Sequence, residues 1–258
     1  MKDYNPNIGR KTLILMGPRF WLYLPLFVTI SGILVIVTTR FIAYSYNPEA
    51  FSRSLTTISN TAAYDYAAQF FAPSMSVIAF FVMLVWYMGY IATKERITTI
   101  KSAQIKTRFY FVNKLVLFFG LSSCVFLILL ACVSLKDNNA FHIYFSYGFF
   151  ITQLISFSLD TTLLLNIRKY LIQKDFKHNL TMDMRPWICV AYIINALIFY
   201  FLYLYKGSPL LSSFSFTKFI YIISEYTFVF IGLCYSTAYR SEIKYYINNF
   251  FETMVNKK

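Results

Sequence analysis

Apolar residues in this chain come in long unbroken runs, with polar and charged residues gathered between them. A helix needs about 20 apolar residues to cross the hydrocarbon core of a bilayer. Six runs reach that length: Phe20–Thr39, Ala67–Thr93, Leu115–Leu135, Ala140–Asn166, Trp187–Tyr205 and Phe219–Tyr239. Barrel strands are half as long and alternate in polarity. Backbone groups in lipid must pair within their own segment, so the runs predict helices. The predicted fold class is all-α, a polytopic six-transmembrane-helix bundle forming a single domain over residues 1–258. The first run is too long for the apolar core of a signal peptide, and Thr39-Arg40-Phe41 offers no cleavage site, so a retained anchor is expected.

Composition removes the alternatives. Hydrophobic residues make up 58%, charged residues 14% and aromatics 21%, with 28 Phe and 22 Tyr. That is too little polar surface to cover a water-soluble core, and the opposite of a disordered composition. The mean hydropathy of +0.54 agrees.

Charge sets the expected orientation. The amino-terminal tail, segments 94–114 and 167–186, and the carboxyl tail hold nineteen Lys and Arg; the intervening outer segments hold five. By the positive-inside rule both termini are cytoplasmic. The net charge of +13 is first a topology signal. It also makes Lys94, Arg96, Lys101, Lys106, Arg108, Arg168 and Lys169 candidates for binding anionic lipid headgroups, at roughly 1 kcal/mol per residue near the surface. A cytosolic protein could use the same basic loops, whereas nucleic acid is not expected there. Trp21, Trp86 and Trp187 are expected in an aromatic belt at the inner interface.

Chemistry is sparse. Cys124, Cys132, Cys189 and Cys234 all fall inside spans and read as packing residues. His142 and His178 lie on opposite sides, so no metal site or cofactor is expected. The sequon Asn179-Leu180-Thr181 falls on the inner side and is predicted to be unused. The outer segment 40–66 has room for a short helix or a lip over the bundle.

An ionisable residue inside a span is a functional candidate by default. Glu225 sits six residues into the sixth span, about 9 Å from its outer end. His142 opens the fourth span at a similar depth, so the two can face each other. Asp160 lies near the inner end of the fourth span and is expected to reach toward the interface. Gln153 is polar near mid-depth. No Ser-His pair, Cys nucleophile or second acid completes a catalytic constellation.

The chain resembles the Frag/DRAM/Sfk family of six-span membrane proteins, which includes damage-regulated autophagy modulators and the post-GPI-attachment lipid-remodelling factor. The resemblance runs over about residues 20–245. It is carried by Leu24-Pro25-Leu26, the outer segment Ser54 to Thr61, Asn113 to Cys124 and His142 followed by Gly148-Phe149-Phe150 and Gln153. Ser224-Glu225-Tyr226 matches the family's acid followed by an aromatic. The chain departs from the pattern in lacking the outer-loop Pro and in having Asn60 where an acid is common. The resemblance implies cytoplasmic termini, and roles in membrane-lipid organisation, GPI-lipid maturation, phosphoinositide-kinase recruitment or autophagy. The favoured expectation is a non-catalytic regulator of lipid homeostasis or autophagy, in an endomembrane (Golgi, ER or lysosome) or the plasma membrane. The alternative is an intramembrane lipid-remodelling enzyme or lipid carrier that uses His142 and Glu225. Six spans without a pore loop or an Arg-rich sensor fit neither a heptahelical receptor nor a voltage-gated channel.

Overall fold

A computed structural model describes residues 17–49, 56–171, 180–205 and 215–255. In chain order the helices are α1 (Pro18–Tyr46), α2 (Ile58–Thr61), α3 (Asp65–Thr98), α4 (Ala103–Cys132), α5 (Asn139–Leu171), α6 (Leu180–Tyr205), α7 (Ser215–Ala238) and α8 (Arg240–Val255). Among the described residues there is no strand. Six of the helices are long and apolar enough to cross a membrane. Four of the six contain their predicted run whole; the third run outlasts α4 by residues 133–135, and the sixth outlasts α7 by Tyr239. Much of the predicted loop 94–114 is helical, so Lys106, Arg108 and Lys114 lie on α4. Within the carboxyl tail, residues 240–255 form α8. His178 and Asn179 of the sequon lie outside the described residues.

Bilayer lipid supplies no hydrophobic drive between helices, so close packing and interhelical hydrogen bonds hold the bundle. Small residues permit the close approach. A Cβ at Gly120 of α4 would lie 2.5 Å from the Trp86 ring of α3, and one at Gly232 of α7 would lie 2.7 Å from the Gln153 amide of α5. Polar side chains bridge the same seams. Thr29 Oγ1 donates to Leu233 O at 2.7 Å, joining α1 to α7; it also lies 3.1 Å from the Pro25 carbonyl one turn back. Asn113 Nδ2 donates to Tyr90 O (3.0 Å), Ser156 Oγ to Val116 O (3.0 Å) and Asn195 Nδ2 to Ser224 O (2.9 Å).

The high aromatic content has a structural explanation. Rings of Tyr221, Phe199, Phe228, Tyr192, Phe157, Tyr235 and Tyr239 follow one another at centroid spacings of 3.8–6.1 Å. These spacings suit stacked and edge-to-face aromatic contacts. The run threads α6, α7 and α5 from one end of the bundle to the other. Trp86 joins it against Phe157 and Tyr235, and Trp21 is fully buried. Both rings therefore pack inside the bundle and not on its surface, whereas Trp187, 75% exposed, presents its ring outward. The reason is packing: Trp86 fills the space left by Gly120.

After a break at Tyr239, α8 turns its Glu242, Ile243, Tyr246 and Ile247 into the bundle. Their i, i+1, i+4, i+5 spacing makes a single buried face. At the opposite end, Lys136 donates to Asp65 at 2.8 Å, which raises the Lys136 ammonium pKa. Both side chains are exposed, so this pair contributes little to stability.

Candidate functional site

Two polar constellations lie at opposite ends of the bundle. The first begins with Glu225, on α7 one turn inside its buried face. Ser59 donates to Glu225 Oε1 through both its backbone N–H (3.1 Å) and its hydroxyl (2.7 Å). Thr57 caps α2 by accepting from Asn60 N–H at 3.1 Å. Arg40 of α1 donates to Thr56 O (3.2 Å) and to Tyr226 Oη (3.0 Å), and the Tyr226 hydroxyl in turn donates to Thr56 O. The Ser224-Glu225-Tyr226 motif thus clasps segment 56–59 with two adjacent side chains. Of the short helix or lip expected in segment 40–66, the short helix α2 is present, and Glu225 is bonded to it.

His142 lies in the first turn of α5. Its Nδ1 is 2.6 Å from Val133 O at the end of α4, which fixes the N–H on Nδ1 and leaves Nε2 as an acceptor. Nε2 is buried and has no hydrogen-bond partner among the described residues. His142 and Glu225 do not bond to each other; both line one cavity of about 850 Å³. Phe71, Met75, Leu127, Phe150 and Val229 form its apolar wall, and Ser59, Asn60, Asn139 and Lys218 lie among its polar lining. The volume is that of a small-molecule pocket, with the expected pattern of few polar groups on a mostly apolar wall.

The second constellation is a buried network of four charges. Arg185 Nη1 lies 3.0 Å from Asp160 Oδ2, and its Nη2 donates to Glu242 Oε1. Arg96 Nε lies 3.2 Å from Glu242 Oε2. Tyr235 donates to Asp160 Oδ2 at 2.7 Å, and the Arg185 guanidinium covers the Tyr239 ring at 4.8 Å. All four charged residues are at most 5% exposed. Two cations and two anions balance, and each side chain comes from a different helix: α3, α5, α6 and α8.

This network corrects two expectations. Asp160 does not reach toward the interface; it is sealed inside by Arg185, a residue the chain brings in from the start of α6. Arg96 is not a surface cation available to a headgroup, because Glu242 draws it inward. Lys101, Arg108 and Lys169 are exposed, while Lys94, Lys106 and Arg168 are half-buried. Gln153 accepts from Tyr192 Oη at 2.7 Å in the core and reaches neither site. Glu242 and Arg185 carried a weak signal in the sequence, since each stands just beyond a span where charge is ordinary.

The model of the Frag1/DRAM/Sfk1/Cwh43P N-terminal domain matches residues 20–246. The chain belongs to this family. In this Frag1/DRAM/Sfk1 protein the matched region takes in the clasp, His142 and all four members of the charge network. No curated protein and no solved structure matches the chain.

Proposed function

We propose that this Frag1/DRAM/Sfk1 protein is a non-catalytic regulator of membrane-lipid homeostasis that works by holding a lipid in the cavity beneath the outer clasp. The observation that carries the reading is the cavity itself: an apolar wall deep among spanning helices, with polar groups lining it beside the clasp. That arrangement suits an amphiphile, whose chains meet the wall and whose head meets the lip. A role in autophagy or GPI-lipid maturation would be exercised through the same lipid, in an endomembrane or the plasma membrane. With both termini cytoplasmic, exposed Lys101, Arg108 and Lys169 would face the anionic leaflet and hold phosphoinositides or a cytosolic partner there.

The lipid-remodelling alternative has one observation in its favour, the presence of His142 and Glu225 on one cavity wall. Against it, Glu225 is engaged by Ser59 and makes no contact with His142.

Filling the cavity tests the reading. Ala131 lines it from the end of α4 and is 9% exposed. Ala131→Trp is expected to remove co-purifying lipid, measured by native mass spectrometry, without changing the elution profile of the folded protein. Lipid retained at the wild-type level in the folded variant would contradict the proposal.

A further inference from the structure

We infer that the cavity is selective for an uncharged lipid whose polar head carries a free hydroxyl, such as a diacylglycerol, and that His142 Nε2 is the acceptor for that hydroxyl. The inference rests on the lipid-holding reading and adds the chemistry of the head.

His142 is 6% exposed and lines the cavity. Its Nδ1–H is spent on Val133 O, so Nε2 can only accept while the ring is neutral. Nε2 has no partner among the described residues. A buried acceptor left unpaired is costly, and a ligand donor removes that cost. The other deeply buried ionisable group on the wall is the Glu225 carboxylate, 7% exposed. It too is acceptor-only when ionised. No buried Lys or Arg lines the cavity among the described residues; its Lys218 is exposed. The buried ionisable groups on the wall therefore offer acceptors to a head that brings donors.

A phosphate head fits this set poorly. It would place anionic oxygens beside a carboxylate and a lone pair, with only an exposed ammonium to compensate. A hydroxyl head supplies the one group that is missing. Diacylglycerol and phosphatidic acid share their chains and differ at that group alone, so the pair isolates the choice.

The experiment uses the purified full chain in detergent micelles, with native mass spectrometry and thermal shift as readouts. Dioleoylglycerol, its O-methyl ether and dioleoyl phosphatidic acid are compared on the wild type and on His142→Asn. An Asn amide reproduces the Nδ1–H donor to Val133 and deletes the Nε2 acceptor, so the bond that orders the first turn of α5 is kept. Dioleoylglycerol is expected to bind the wild type about tenfold more tightly than either comparison lipid, the size of effect expected when a buried acceptor is left unmatched. His142→Asn is expected to lose that preference while still binding the methyl ether as the wild type does. Equal or tighter binding of phosphatidic acid, or a preference unchanged in His142→Asn, would overturn the inference and leave lipid holding intact. Failure of the wild type to bind any of the three would overturn the lipid-holding reading together with it. The methyl-ether comparison needs no mutation, so the outcome does not depend on how the variant folds.

Discussion

Replacing Arg185 with Met is expected to destabilise the protein by about 3–5 kcal/mol, as breaking a buried ion pair from one side does. The loss would be read as a large drop in melting temperature, or as failure to elute as a monodisperse species. Arg185 is the hub of the four-charge network, contacting both Asp160 and Glu242. Its removal takes the shared guanidinium from both carboxylates, leaving Asp160 without the arginine it pairs with and Glu242 with Arg96. Such uncompensated charge cannot be relieved by lipid, where an ionised group is more costly still. Arg96→Met is expected to be milder, since Glu242 keeps Arg185. The network also ties α8 to the spans, because Glu242 is the anchor that α8 brings. Proteolysis of α8 should therefore accelerate in Arg185→Met. A variant as stable as the wild type would show that the four charges are not mutually compensating.

At the other end, Glu225→Leu is expected to weaken lipid binding at least tenfold, while Glu225→Gln stays close to the wild type. Both follow from the clasp. A Gln side-chain carbonyl can still accept from Ser59 N–H and Oγ, so the outer segment stays seated. Leu accepts nothing, and stranding the half-buried Ser59 donors costs about 1 kcal/mol or more. The segment would then open the cavity's lip. Labelling of Ser59→Cys by a membrane-impermeant thiol reagent reports the opening: fast in Glu225→Leu, slow in Glu225→Gln and the unsubstituted background. Acid–base chemistry demands instead that Glu225→Gln fail as completely as Glu225→Leu, since both delete the titrating group. A Gln variant that loses function while its clasp stays closed would move the assignment from latch to catalyst.

Most of the fold was legible from the chain, because lipid imposes a simple rule on it. Six uncharged or nearly uncharged runs had to be helices, and they are. The same rule blurred the ends. Lys106, Arg108 and Lys114 looked like loop charges, yet helix α4 begins at Ala103 and carries all three. Charge near a span end is compatible with either state, since both are solvated. α8 was missed for a related reason: its buried face is set by Tyr246, Ile247 and the ion pair of Glu242, a tertiary partner the local pattern does not reveal.

The candidate residues divide in the same way. His142 and Glu225 stood out because an ionisable group in a run of Phe and Leu is conspicuous, and the structure brings both to one wall. Their actual partners were invisible. Ser59, on α2, lies 166 positions from the Glu225 carboxylate it contacts, and Arg40, on α1, lies 186 from Tyr226. Asp160 was conspicuous too, but its meaning depended on Arg185, which reads as one more inner-side cation. Linear charge counting places such residues on a side of the membrane; it cannot say which of them turn inward to pair.

Photo-crosslinking decides the central claim most directly. A diacylglycerol with a diazirine on one chain is incorporated into vesicles holding the full chain, irradiated, and the adduct sites are mapped by peptide mass spectrometry. Occupation of the cavity predicts adducts on Phe71, Met75, Leu127 and Phe150, lost in Ala131→Trp. Adducts confined to lipid-facing residues such as Phe111, Phe118 and Phe201, unchanged by that substitution, would show a bundle bathed in lipid with none held inside it.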